Sequence, residues 1–186
     1  MKTTATLLFS SLLLAGPVLA ADYKVDPAHT SVVFEVGHLE VSTLVGRFNE
    51  FEGDYHFDGD NPSAARARLT IQAESIDTNH EDRDKHLRSP DFFDVRQYPT
   101  LSFESTGYEG DKDSGTLAGN LTVHGVTQPV AFDVRFIGEG ADPWGGYRNG
   151  FSAETRIKRS DFGMSYGLPG VGDEIAIRLF IEGIRQ

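Results

Sequence analysis

The sequence predicts an all-β fold of about eight antiparallel strands in one domain, with one short surface helix. Three observations carry this expectation. Apolar and polar residues alternate with period two along most of the chain, the pattern of half-buried strands. Clusters of Gly, Pro, Asn and Asp, such as Asp58-Gly59-Asp60-Asn61-Pro62 and Asp142-Pro143-Trp144-Gly145-Gly146, separate the alternating runs at hairpin spacing. There is no cysteine among the 186 residues, so disulfides and thiolate sites are excluded; 13 Phe and 39% apolar residues supply the core.

Residues 1–20 read as an export signal. Lys2 is a small positive leader, Leu7 to Ala15 is an apolar run, and Val18-Leu19-Ala20 offers small residues for cleavage before Ala21. The run is far shorter than the roughly 18 residues a membrane span needs. The expected mature domain is therefore 21–186, in the periplasm.

The first strand is expected at 30–38, where Val32, Phe34 and Val36 face one way, Ser31, Val33 and Glu35 the other, and His38 ends the apolar face. The second, at 45–57, carries Phe48 and a slip of apolar phase at Asn49-Glu50 that predicts a bulge. Leu69 and Ile71 mark a strand at 66–76, and Leu101 and Phe103 one at 99–107. Leu117, Leu121 and Val123 mark 115–124; Phe132, Val134 and Phe136 mark 129–139. Phe151, Ala153 and Ile157 mark 149–159, and Ile175, Ile177, Leu179 and Ile181 mark 174–185. Eight strands suffice to close a barrel; a two-sheet sandwich is the competing architecture.

One segment breaks the alternation. Thr78-Asn79-His80-Glu81 reads as a capping box that opens a polar helix near residues 79–88. Glu81–Lys85 and Asp84–Arg88 are i,i+4 pairs, and Pro90 marks the end. Phe92 and Phe93 then form an apolar plug expected over a barrel mouth or edge.

Charge and motifs exclude several functions. With 17 Lys and Arg against 28 Asp and Glu, the net charge is -11. That disfavours nucleic acid and docking onto anionic lipid through a basic patch. Neither a G-x-G-x-x-G nor a Walker loop occurs, so no nucleotide cofactor is implied. His80 and His86 are six apart and do not share a helix face as metal ligands would, so no metal is expected. Gly163-Met164-Ser165-Tyr166-Gly167 matches the G-x-S-x-G elbow of hydrolases. That elbow requires a strand–turn–helix context and a later His, whereas all six histidines precede Ser165.

Several pieces, in this order, resemble the YceI family. They are His29-Thr30, Gly46-Arg47-Phe48, and Ser75-Ile76-Asp77-Thr78-Asn79 followed by Arg83-Asp84, His86-Leu87-Arg88-Ser89 and Asp91-Phe92-Phe93. Tyr98-Pro99-Thr100-Leu101-Ser102-Phe103 with Ser105, Gly119-Asn120-Leu121-Thr122 with Gly125-Val126-Thr127, and Arg159-Ser160-Asp161-Phe162-Gly163 complete the set. The resemblance implies an extended lipocalin-like barrel in an exported bacterial protein that holds a polyisoprenoid or similar long apolar chain inside.

A barrel can hold such a chain if its inward side chains are apolar and leave room. The candidate lining is Val32, Phe34, Val36, Phe48, Leu69, Ile71, Phe92, Phe93, Phe103, Leu121, Phe132, Val134, Phe136, Phe151, Ile177 and Leu179. Transfer of a 40-carbon chain from water at about 0.8 kcal/mol per CH₂ would exceed the practical ceiling of about 20 kcal/mol for affinity. The meaningful reference is a membrane, and near-neutral exchange with it suits a carrier or reservoir without catalysis. Candidate head-group or mouth residues are His38, Arg83, His86, Arg88 and Trp144, with Arg suited to phosphate and a quinone the neutral alternative. Expected partners are thus a long-chain isoprenoid lipid or quinone, transient contact with a membrane, and a second copy in a homodimer. The competing readings are a filled barrel acting as a stress or protein-interaction module, and a small hydrolase using Ser165.

Overall fold

The structure, a computed structural model, describes residues 20–186; the expected export signal falls outside it except for Ala20. Eleven strands form one sheet: β1 (Ala21–Val25), β2 (Ser31–His38), β3 (Ser42–Phe48), β4 (Phe51–Phe57), β5 (Arg66–Gln72), β6 (Ile76–Asp77), β7 (Thr100–Gly110), β8 (Ser114–Val123), β9 (Val126–Ala141), β10 (Tyr147–Lys158) and β11 (Val171–Arg185). All pairings are antiparallel. The order β1-β4-β5-β7-β8-β9-β10-β11 returns to β1, so eight strands close a ring. The barrel, not the sandwich, is the architecture.

β11 is shared between two neighbours. Val171 to Phe180 pair with β2, and Gly183 to Arg185 pair with β1. β2, β3 and β6 therefore extend the wall beyond the closed ring at one end, called the lower end here. That end carries the β2–β3 and β8–β9 hairpins and the loop 163–170; the upper end carries the β7–β8 and β9–β10 hairpins.

The strand expected at 45–57 is two strands with different partners. β3 pairs with β2, while β4 pairs with β1 and β5. At the break the Asn49 N–H donates to Ser75 O at 3.1 Å, and the Glu50 N–H donates to Ser75 Oγ at 3.0 Å. The phase slip at Asn49-Glu50 thus marks a corner where the chain changes neighbours, not a single bulge. The strand expected at 66–76 is broken likewise by a 3₁₀ turn, Ala73–Ser75, before β6. β1 was not anticipated, because its five-residue run is too short to stand out directly after an apolar leader. It alternates nonetheless: Ala21, Tyr23 and Val25 are buried, Asp22 and Lys24 exposed.

The helix, α1, spans Glu81–Leu87 and is shorter than expected. The capping box is not formed. His80 is the N-cap, its Nδ1 accepting from the Arg83 N–H at 3.3 Å. Thr78 instead gives its N–H (2.9 Å) and its hydroxyl to the buried carboxylate of Asp84. Asp84 is thereby committed, and Arg88 donates to Glu74 O and Ile76 O, each at 2.7 Å, so the expected Asp84–Arg88 pair gives way to bonds that fasten α1 to the β5–β6 corner. No Glu81–Lys85 ion pair forms among the described residues.

Candidate ligand-binding site: an apolar cavity in the barrel

A cavity of about 230 Å³ runs along the barrel. Leu87, Phe92 and Met164 bound it at the lower end, Phe57 and Phe136 at the upper. Every residue that the alternation placed inward lines it, and so do Phe92 and Phe93 of the plug after α1. Sequence reasoning left out Val25, Tyr55 and Phe57 because it lacked β1 and its contacts with β4, and Met164 because it sits in a loop.

Register explains the lining. Phe34 stands opposite Ile177, Leu69 opposite Phe103, Phe103 opposite Leu121 and Val134 opposite Ala153, and such partners share a face. Phe34, Leu69, Phe103, Val134 and Ile177 are only half buried although they face inward, because part of their surface meets the cavity rather than another side chain. A filled barrel would bury them fully.

Two glycines keep large rings out of the lumen. A Cβ at Gly46 would collide with the Phe34 ring, and one at Gly119 with the Phe103 ring. Each Phe therefore lies along the wall over a position without a side chain.

The upper end is closed by aromatic rings. Tyr23 and Tyr55 stack at 5.2 Å, and Phe57 meets Phe151 at 5.0 Å and Phe136 at 5.7 Å. The Tyr55 hydroxyl donates to Oδ1 of buried Asn149. Burial pushes the Tyr55 and Tyr23 phenols above the ordinary tyrosine range, with Glu139 adding to the effect on Tyr23. At the lower end His86 meets Phe92 edge-on at 5.1 Å and Tyr166 at 5.2 Å.

The candidate head-group residues do not converge, and none lines the cavity. Arg83 gives Nε to Thr78 Oγ1 at 2.7 Å and Nη2 to Thr78 O at 2.6 Å. Arg88 is held by the carbonyls already named, and His86 Nε2 lies 2.8 Å from Asp91 Oδ2. His38 is exposed at the lower end, opposite Ser42. Trp144 lies at the other end, 80% exposed in the β9–β10 hairpin, with the Arg148 guanidinium 5.8 Å over its ring. The arginines of α1 satisfy carbonyls freed by the corner at 73–78, a demand that the alternation pattern does not reveal. Ser165 lies in the exposed loop between a 3₁₀ turn and β11, so the strand–turn–helix context of a nucleophile elbow is missing.

Outside the cavity, Asp26, His29 and Glu182 form a cluster of metal-ligating groups. A guanidinium already occupies it: Arg148 Nη1 lies 2.6 Å from both Asp26 Oδ2 and Glu182 Oε1, and its Nε 3.0 Å from Asp142 Oδ2. Arg148, with His29 beside it, holds the Asp26 carboxyl at about 2. A carboxyl lowered in the folded state stabilises it fully above about pH 4, its unfolded range, and that contribution is lost as pH falls toward 2. Thermal unfolding measured against pH should therefore show stability falling between pH 4 and 2. Asp26→Asn should lower the midpoint at pH 7 and flatten that acid limb; an unchanged limb would place the acid sensitivity elsewhere.

Residues 23–183 match the family described as the YceI-like domain. A UPF0312 protein of Pseudomonas aeruginosa is 48% identical over 188 residues, which cover 100% of this chain and 98% of the relative. Among solved structures, the Campylobacter jejuni YCEI protein superposes with a TM-score of 0.73 at 31% identity, covering 81% of this chain and 90% of that one. A polyisoprenoid binding domain from Saccharophagus degradans, implicated in plant cell wall breakdown, shares the fold with a TM-score of 0.65 at 14% identity, covering 88% and 98%.

Proposed function

Since the chain belongs to the YceI-like domain family, we propose that it is a binding protein which holds a polyisoprenoid chain, free or as an isoprenoid quinone, along its barrel. The observation that carries this reading is the set of inward apolar side chains that remain half buried against a continuous cavity. The Saccharophagus domain of the same fold, described as polyisoprenoid binding, agrees with it. The cavity is smaller in volume than the roughly 300–1,000 Å³ of ordinary small-molecule sites and is lined from one end of the barrel to the other, which favours a slender chain threaded lengthwise over a bulky ligand.

The role is carriage or storage without catalysis, in the periplasm after removal of residues 1–20. Among the described residues no helix is long and apolar enough to cross a membrane. Transient membrane contact falls to the lower end, where Leu39, Val41, Tyr166 and Leu168 are exposed on the β2–β3 hairpin and the 163–170 loop. Leu39 N–H bonds Gly170 O at 2.7 Å, so the two tips stand side by side.

The test is mass spectrometry of an organic extract from protein purified without detergent. A stoichiometric prenyl chain or quinone is the expected result. An empty extract that stays empty after incubation with membranes would sink the reading and favour a protein-interaction module.

A further inference from the structure

The turns at the lower end are almost free of charge, in a chain whose net charge is -11. Residues 36–46 around the β2–β3 turn, 121–132 around the β8–β9 turn and 162–172 around the last loop contain a single Asp, Glu, Lys or Arg between them, Glu40. Beside them α1 is balanced, with Glu81, Asp82 and Asp84 against Arg83, Lys85 and Arg88. The upper turns are acidic: 58–65 and 110–115 carry Asp58, Asp60, Asp111 and Asp113 against Lys112 alone. Like charge turns the upper end away from an anionic lipid surface, and the lower end meets no such barrier.

Exposed apolar side chains collect at that neutral end: Val41 is 84% exposed, Leu39 59%, Tyr166 49% and Leu168 39%. Tyr166 and Leu168 sit on a flap whose two ends are held by one guanidinium. Arg159 Nη1 gives to Met164 O at 2.8 Å and Nη2 to Val171 O at 2.9 Å. Residues 165–169 between them are exposed, and among the described residues their only hydrogen bonds are Leu168 N–H to Ser165 O and Val171 N–H to Gly167 O. The flap also covers the cavity. Met164, at its base, lines the cavity, as does Phe92. Tyr166 does not line it but lies outside Phe92, with its ring 5.3 Å from Phe92 and 5.2 Å from His86. One short segment thus presents apolar side chains outward and lays an aromatic cover over the cavity end.

We propose that the lower end docks on a lipid bilayer through Leu39, Val41, Tyr166 and Leu168, and that the bound chain passes in and out there, past Phe92, when Tyr166 swings into the lipid. The inference rests on the chain-binding reading above and gives it a docking face and an exit. Uncharged apolar tips gain by leaving water for the acyl boundary. Tyrosine suits that boundary, having an apolar ring and a polar tip. The flap lies outside the strand ladder, so its movement breaks no strand pairing. A protein partner would be selected by complementary charge, of which these tips offer only Glu40; a bilayer requires none.

The experiment follows tritiated geranylgeraniol from phosphatidylcholine vesicles to the protein. The unaltered protein should load at an initial rate that rises with vesicle concentration, as transfer by collision requires. Val41→Asp combined with Leu168→Asp should slow that rate about tenfold, because two carboxylates then face the lipid, and should leave the final loading unchanged. Ile137→Asp is the control. It adds the same charge at an exposed apolar position near the upper end and should keep the rate within about twofold. Circular dichroism checks that each variant is folded. A rate independent of vesicle concentration, unaffected by the double variant or slowed equally by Ile137→Asp would overturn docking and leave the tips to a protein partner. Tyr166→Ala should speed release of the loaded chain to cyclodextrin, with no vesicles present, by about threefold or more. Unchanged release would overturn the exit at Tyr166. Failure of the unaltered protein to load at any vesicle concentration would overturn the chain-binding reading itself, and the docking face with it.

Discussion

Phe132→Asp should empty the barrel. Phe132 is 4% exposed, lines the cavity and packs edge-on against Phe103 at 5.2 Å. A carboxylate in its place would face the Phe103 ring and a largely apolar wall, and burying such a charge unpaired is far costlier than burying a neutral polar group. The side chain must stay protonated or draw water into the lumen, and either outcome opposes an apolar chain. Loss of folding would mimic the result, so Phe132→Ala serves as the control. Removing the ring should cost about 3–5 kcal/mol in urea unfolding, yet it enlarges an apolar space and should leave chain retention in place. Retention of chain by a folded Phe132→Asp protein would remove Phe132 from the binding wall.

Arg159→Met should be among the most destabilising single changes. Arg159 is 3% exposed and gives Nε to Gly172 O at 2.8 Å, Nη1 to Met164 O at 2.8 Å and Nη2 to Val171 O at 2.9 Å. These carbonyls belong to the loop between the last 3₁₀ turn and β11 and to the start of β11. Desolvation lowers the Arg159 pKa from the ordinary guanidinium value, while Asp173, itself held low by the Ser160 hydroxyl and N–H, opposes that fall. Methionine keeps much of the apolar stem and strands three acceptors, each worth roughly 1–3 kcal/mol when left unpaired. The expected total is about 3–5 kcal/mol by urea unfolding, with faster amide exchange across 163–172. A cost below about 1 kcal/mol would mean that water reaches the carbonyls as soon as the guanidinium leaves.

The wall of the barrel was legible in the sequence because one rule governs it. Antiparallel strands with one buried face alternate at period two, and register then brings Phe34, Leu69, Phe103 and Val134 to one lumen. The same rule explains what was missed. Asn149 is polar, so an apolar pattern passes over it although it is buried. β1 followed too closely on an apolar leader to be separated from it. The arginines of α1 were read as free or paired along the helix, but their partners are carbonyls at a corner whose only trace in the sequence is the phase slip at Asn49-Glu50. Side chains that serve backbone groups distant in sequence leave no periodic signal.

The double pairing of β11 bears on how the molecule comes into being. Tyr23 pairs with Arg185, and the Gln186 N–H bonds Asp22 O at 2.9 Å, so the ring is completed by the first and last strands in chain order. Contacts of such long sequence separation form slowly, because loop-closure entropy must be met before they contribute. Until β11 is made, β4 to β10 can form only an open sheet with bare edges and a Phe-rich face. Closure is then a late event, and a lipid lying on that face at the time would be wrapped by the wall as it shuts. Loading during biogenesis, rather than threading through a finished end, is a route that this topology makes available to the newly made protein.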